Sequence, residues 1–265
     1  MPQVWGLSSS SELEAVRIIS IVPSLTHLVC ELGLRERLVG CTKFCIEPPG
    51  LQRDVGLIGG TKDPDMAAIA ALAPTHILTN EEENKPEHIA HCETLALTFR
   101  SFPKSPHEVP RMIRDLGGLL KCSERASDMA ADIEAELGKG SVQGQRSFLY
   151  FIWREPYMVA SHDTYISHML GTIGFTNVCT TPNRYPALTI NEARALKPDL
   201  LLLSTEPYPF RKRDAERLLA EWPEAPEILR IDGQLMSWFG AMTRDGLREL
   251  RSWSSGTATP LIRAF

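Results

Sequence analysis

The sequence predicts an α/β fold in two lobes. Three observations predict it: short apolar runs alternate with helical patterns, that order restarts after residue 145, and a segment of the first half recurs in the second. At 265 residues, 43% hydrophobic and 23% charged, the chain is too long for one small core. Two lobes of about 100 residues each fit it.

Arg17–Val22, Leu38–Cys41, Thr75–Thr79 and Leu97–Phe102 are apolar runs bounded by Pro, Gly or polar residues, as strands buried on both faces should be. Between them Thr26 to Leu32 forms a helix that Ser24 caps and Gly33 ends, and Asp63-Pro64 opens an Ala-rich helix that stops before Pro74. After residue 145, Ser147–Trp153 and Asp199–Ser204 read as strands, Thr164–Thr172 and Thr189–Leu196 as helices. Ala71-Leu72-Ala73-Pro74-Thr75 and Ala195-Leu196-Lys197-Pro198-Asp199 share one grammar, each leading into an aliphatic run, a weak internal repeat of two similar lobes. Val109, Met112, Ile113, Leu116, Leu119 and Leu120 follow helical spacing, so one long helix is predicted over 106–138, with Gly117-Gly118 as its weak point and Gly138 to Gly144 as its exit loop. The lobes are then 17–105 and 146–265.

Composition narrows the function. A net charge of −5 and a pI near 5.8 give no electrostatic footprint for nucleic acid. No run approaches the roughly 20 apolar residues that cross a bilayer. Residues 1–16 carry Ser8 to Ser11, Glu12 and Glu14 in place of a secretory leader, which predicts a cytoplasmic protein, or a periplasmic one if the chain is a trimmed form. Cys30, Cys41, Cys45, Cys92, Cys122 and Cys179 lack CxxC spacing and read as reduced thiols. No GxSxG, HExxH or GxxxxGK[ST] is present, and Val55 to Gly60 lacks GxGxxG spacing, so no catalytic residue is predicted.

In open parallel sheets, ligands bind outside the carboxyl ends of the strands. The loops there hold Phe44 and Cys45, Asn80-Glu81-Glu82-Glu83-Asn84, Trp153 and Arg154, Tyr185, Glu206 with Tyr208 and Phe210, and Trp238-Phe239. Aromatics at loop tips line a cleft for a broad, partly apolar ligand, or else cover the lobe edges, the competing reading for Trp153, Tyr157 and Phe210. Glu82 and Glu206 follow the two repeat strands, as a facing pair for a cation or for Arg154, or as solvated loop acids. Cys45 reads as a soft ligand or an inert buried thiol, and His88, His91 and Cys92 share a helix face without a second ligand cluster.

Arg17-Ile18-Ile19-Ser20-Ile21-Val22-Pro23-Ser24-Leu25-Thr26, Leu32-Gly33-Leu34, Val39-Gly40, Pro48-Pro49, Gly59-Gly60-Thr61, Asp63-Pro64 and Ala71 to Pro74 resemble the helical-backbone receptors for cobalamin, haem or ferric siderophores, from Arg17 to about Trp253. The resemblance implies the class III substrate-binding-protein fold: two Rossmann-like lobes with mainly parallel sheets joined by one backbone helix, ligand in the cleft and no catalysis. It implies a corrinoid, haem-like or ferric-chelate ligand, with Phe44, Tyr185, Trp238 and Phe239 where aromatic contacts fall. Thr61 departs from the tryptophan of the cobalamin receptor. Members docked to an ABC permease carry a glutamate seven positions before the repeat proline, where this chain has Ala67 and Asn191, with Glu192 beside the second. The resemblance thus also allows a cofactor or metal chaperone or sensor without a transporter, and an enzyme recruiting Cys45, Glu82, Arg154 or Glu206 is the third reading.

Overall fold

A computed structural model describes residues 16–140, 146–257 and 261–263. The leader reading of residues 1–16 and the end of the predicted exit loop to Gly144 fall almost wholly outside them. The chain divides into two units: residues up to Phe102 together with Asp115–Ala126, and Pro103–Arg114 together with the residues from Ser127 on.

The first unit holds a parallel sheet of five strands, β1 (Ile18–Ser20), β2 (Leu38–Cys41), β3 (Gly56–Leu57), β4 (His76–Asn80) and β5 (Leu97–Ser101), in the order β3-β2-β1-β4-β5. Its strands are short aliphatic runs because both faces are covered, and Ile18, Ile19, Ile77 and Leu78 are fully buried. The connecting helices are α1 (Pro23–Glu31), α2 (Met66–Ala71) and α3 (Pro86–Leu95). Two of their starts differ from expectation. α1 begins earlier, with Pro23 in its first turn and Val22 at the cap, which puts Ser24 inside the helix. α2 is capped by Asp65, whose carboxylate accepts from the Ala68 N–H, two residues past the predicted Asp63.

The second unit has a six-stranded sheet, five strands of it ordered β11-β10-β9-β6-β7 and the sixth, β8, paired to β6 off that path. These are β6 (Ser147–Trp153), β7 (Met158–Ala160), β8 (Thr176–Asn177), β9 (Leu200–Ser204), β10 (Glu227–Ile231) and β11 (Ile262–Arg263). Pairs β6·β9, β9·β10 and β6·β8 are parallel, and β7 and β11 add antiparallel edges. Leu149, Phe151, Leu201 and Leu203 point into one core with Phe210, Leu218 and Trp222. Phe210 is therefore an interior residue, neither at a loop tip nor covering an edge. The helices here are α6 (Tyr165–Gly171), α7 (Ile190–Ala195), α8 (Lys212–Glu221), α9 (Gly233–Ser237) and α10 (Ala241–Ser254).

The repeat has a shared backbone cause. Ala73 (φ 45°) and Lys197 (φ 50°) hold the same left-handed position before Pro74 and Pro198, ending α2 and α7. The next residue ties the turn to the neighbouring strand: Thr75 Oγ1 accepts from Arg17 N at 2.8 Å, and an Asp199 oxygen accepts from Ser147 N at 2.8 Å.

The predicted single connecting helix is two helices, α4 (Val109–Leu119) and α5 (Ser123–Leu137). Lys121 enters the left-handed region (φ 57°), and the Cys122 N–H returns to the Gly117 carbonyl at 2.8 Å. Gly117 is needed for the fold-back, since a Cβ there would lie 2.1 Å from Ala126 Cβ. Further out, Arg114 grips Glu134 through two bonds of 2.6 and 2.7 Å. Helical periodicity was legible, and the Gly117-Gly118 weak point lies at the fold-back, but the left-handed residue that makes the turn, Lys121, carries no sequence flag of its own. Among the described residues no helix is long and apolar enough to cross a membrane.

Candidate functional site

In the first unit the strand-end loops are rigidly built. The Gly59-Gly60 pair makes the close turn expected of it: Gly59 has φ 85°, and a Cβ on Gly60 would meet Asp63 Oδ1 at 2.1 Å. The acidic loop after β4 is braced from inside by two buried asparagines. Asn80 Oδ1 accepts from the Glu82 and Glu83 N–H groups at 2.9 and 3.0 Å, and Asn84 Oδ1 accepts from Asn80 N at 2.8 Å. Asn84 Nδ2 donates to the Thr61 and Ile21 carbonyls, joining the loop to the glycine turn and to the end of β1. The sequence singled out the glutamates, yet it is the flanking asparagines that set the loop. Their signal was the Asn-x-x-x-Asn spacing, since Asx side chains readily bond the backbone of nearby residues. Glu82 is half-buried, and Lys62 Nζ donates to its carbonyl at 2.7 Å.

After β2, chain direction separates two neighbours. Phe44 is 52% exposed with Lys43 Nζ 5.2 Å from its ring centre, while Cys45 is fully buried. Cys45 Sγ lies 3.1 Å from Thr26 Oγ1 and 3.2 Å from Thr42 Oγ1. The Cys41 thiol beside it, with these hydroxyls, draws Cys45 below the ordinary thiol range against the effect of burial, and raises Cys41 in turn. The structure thus places Cys45 as an interior thiol, and all six cysteines are free.

In the second unit three predicted residues gather after β9 and β10. Glu206 accepts from Trp238 Nε1 at 2.8 Å and from Ser237 Oγ at 3.1 Å. Asp232 caps the short α9 that delivers both donors, accepting from Gln234 and Leu235 N–H. Gly233 lets the carboxylate in, because a Cβ there would sit 2.5 Å from Glu206 Cγ. Burial pushes the Glu206 carboxyl above its usual range, opposed by the Ser237 and Trp238 bonds. Phe239 follows, edge-on to Tyr165 at 6.3 Å. Trp238 and Phe239 are both largely buried, 8% and 6% exposed, so they form the wall beneath the loop more than its tip.

Arg154 does not reach Glu206. Its guanidinium bonds the buried Asp214 at 3.1 Å and also pairs with Glu155. Asp214 is the residue that sequence reasoning missed. Despite the burial that opposes ionisation, bonds from the Arg211 N–H, the Tyr208 hydroxyl and Arg154 hold its carboxyl below the usual range. It sits sixty positions from Arg154, a distance over which sequence gives no signal. Trp153, 41% exposed, stacks edge-on with Tyr208 at 5.7 Å, and Tyr208 in turn with Phe210 at 4.8 Å. Arg154, Tyr157, Thr189 and Glu221 border a shallow hollow of about 610 Å³. Tyr185 is part-buried, with its N–H on Asn183 Oδ1. Among the described residues no group of three or more His, Cys, Asp or Glu forms a metal cage, His88, His91 and Cys92 included.

Comparison with known proteins gives a coherent set. A family described as periplasmic binding protein matches residues 18–228. A vitamin B12-binding protein of Vibrio campbellii is 19% identical over 212 residues, 77% of this chain and 76% of that protein. Among solved structures, the periplasmic vitamin B12-binding protein of Vibrio cholerae superposes with a TM-score of 0.75 at 17% identity, over 90% of this chain and 96% of the other. A periplasmic haem-binding protein of Pseudomonas aeruginosa gives 0.77 at 21% identity, over 93% and 96%. One from Roseiflexus sp. RS-1 gives 0.76 at 21% identity, over 91% and 98%.

Proposed function

The chain belongs to the periplasmic binding protein family, and from that premise we propose that it is the solute-binding component of an import system for a cobalamin-like or haem-like tetrapyrrole or a ferric chelate. Its fold is the class III substrate-binding fold, and its family is one of binding proteins, not enzymes. The observation that carries the ligand class is the sharing of this fold, over about nine-tenths of the chain, with proteins that bind vitamin B12 and haem. The chemistry of the strand ends supports it. A tetrapyrrole has broad apolar faces and a polar rim, and burying one aromatic ring against such a face removes about 150–250 Å² from water. In the first unit Phe44 offers such surface, with Lys43 Nζ beside its ring, and in the second unit Trp153 and Tyr185 offer it. Cys45, Arg154, Trp238 and Phe239 act from beneath, by holding those loops.

Titrating the purified protein with haemin, cyanocobalamin and ferric chelates, read by visible absorbance and melting temperature, tests this. One of the three should bind. Phe44→Ala should weaken that ligand at least several-fold and leave stability unchanged, because the ring is half in solvent. No response across the panel ends the proposal.

A second reading, a chaperone or sensor without a permease, is favoured by one observation. Ala67 and Asn191 are exposed in the first turns of the equivalent helices α2 and α7, and neither is the carboxylate that a docking arginine would pair with. Fractionating native cells and probing association with a permease separates the two: a protein found in the cytoplasm with no permease attached supports the second.

A further inference from the structure

The N-terminus of α1 follows the carboxyl end of β1, the strand from which the chain first runs outward through β2 and β3 and then crosses to β4 on the other side. In open parallel sheets that reversal of strand order is where ligands bind, and a helix start there favours anions through its N–H groups and its dipole. α1 is nine residues long, and its first turn carries no acid. Its cap residue is Val22, which has no side-chain oxygen to offer.

The first N–H groups of a helix have no intrahelical acceptors. Here the Val22 N–H reaches Ser20 Oγ at 3.4 Å, Pro23 has no N–H, and the Thr26 N–H returns to the Val22 carbonyl at 3.0 Å. The N–H groups of Ser24 and Leu25 remain, the two that a capping side chain ordinarily serves, and among the described residues neither meets an acceptor. The Ser24 hydroxyl is also buried without a partner, in a residue only 3% exposed. Because the Cα–Cβ bonds of a helix tilt toward its start, that hydroxyl is carried to the same end as the two N–H groups. Neighbouring polar side chains are committed elsewhere: Ser20 Oγ donates to the Val22 carbonyl, and Asn84 uses its amide on Ile21, Thr61 and Asn80. Three buried donors in one helical turn thus have nothing to receive them, which costs free energy until an oxygen arrives.

We propose that the start of α1 is a subsite for one oxygen of an anionic group, a carboxylate or a phosphate, which takes the capping place that Val22 cannot fill. The Ser24 and Leu25 N–H groups and the Ser24 hydroxyl donate to it, and the helix dipole favours its charge. The group is a free small anion or the acidic rim of a larger ligand. The subsite belongs to the first unit alone and does not depend on the tetrapyrrole reading.

The test is a nitrogen–proton NMR titration of the intact chain with acetate, inorganic phosphate, gallium protoporphyrin as a diamagnetic haem surrogate, and the dimethyl ester of that porphyrin. At least one anion should move the Ser24 and Leu25 amide signals downfield in a saturable way. A response to acetate or phosphate assigns a free anion; a response to the porphyrin that its ester lacks assigns the acidic rim of a larger ligand. Val22→Thr keeps the shape of valine and brings its own cap oxygen, so it should raise the melting temperature of the unliganded chain while weakening the anion at least fivefold. Ser24→Ala removes a hydroxyl that has no partner, so it should weaken the anion without lowering the melting temperature. A purely structural residue would not weaken binding while stability holds or rises. Signals that no probe moves overturn the proposal, leaving the capping place to water alone. Equal responses to the porphyrin and its ester with none to acetate or phosphate also overturn it, as does affinity undiminished in both variants.

Discussion

Replacing Glu206 separates what its shape does from what its charge does. Glu206→Ala takes an acceptor from the Trp238 indole, which is 8% exposed, whereas Ser237 Oγ keeps its 2.8 Å bond to the Gly233 carbonyl. One deprived buried donor costs about 1–3 kcal/mol, and the rescued hydroxyl adds little. Glu206→Gln retains an oxygen for the indole and should cost under about 1 kcal/mol by the same reasoning. The charge gives a pH dependence of definite sign. Burial raises this carboxyl above its unfolded value, so the folded form binds the proton more tightly. Its stabilising contribution is full below the ordinary carboxylate range and is lost as pH rises through the folded pKa. The deficit of Glu206→Gln relative to wild type should therefore shrink or reverse on going from pH 4 to pH 8. Urea unfolding followed by circular dichroism, with midpoint and slope fitted at each pH, measures this. The reasoning fails if Glu206→Ala lies within about 0.5 kcal/mol of wild type, or if Glu206→Gln is as damaging as Glu206→Ala at every pH.

Glu136 has the opposite sign. It is buried, and burial opposes its charge, but bonds from Arg248 Nε and Lys139 Nζ, both 2.7 Å, hold its carboxyl below the usual range. Glu136→Gln should cost about 1–2 kcal/mol near pH 7, since Arg248 and Lys139 remain solvated when the carboxylate is lost, with the difference vanishing as acid titrates the wild-type carboxylate; thermal melts from pH 7 to pH 3 would show it. Ala73→Gly and Lys197→Gly should each stabilise by a few tenths to about 1 kcal/mol, because glycine relieves left-handed strain of about 1–2 kcal/mol and gives part of it back as unfolded-chain entropy; chemical denaturation of either variant below wild type would contradict this.

Much of the architecture was legible because the signals are local. β2 and β6 have the predicted bounds, and Thr164 and Thr189 cap their helices as hydroxyl residues before periodic runs should. The repeat was visible as two similar strings, although its meaning, a left-handed residue and a tie to the adjacent strand, needed coordinates. The site was legible as a set of loops and not as a set of contacts. Glu206 meets Trp238 from 32 positions away and Arg154 meets Asp214 from 60, and nothing in either local sequence names the partner.

The sequence by itself determined the α/β class, the doubling of the unit, the family, and which loops stand at strand ends, because burial periodicity and turn chemistry act over a few residues. The tertiary structure alone decided that the connector folds back at Lys121, that Cys45 lies inside while Phe44 faces out, and that buried asparagines and Asp214 hold the loops. The ties of Cys45 to Thr26, of Asn84 to Ile21 and of Asp214 to Arg154 join residues far apart in the chain, and such hydrogen bonds exist only once packing has removed water and fixed the distances between them.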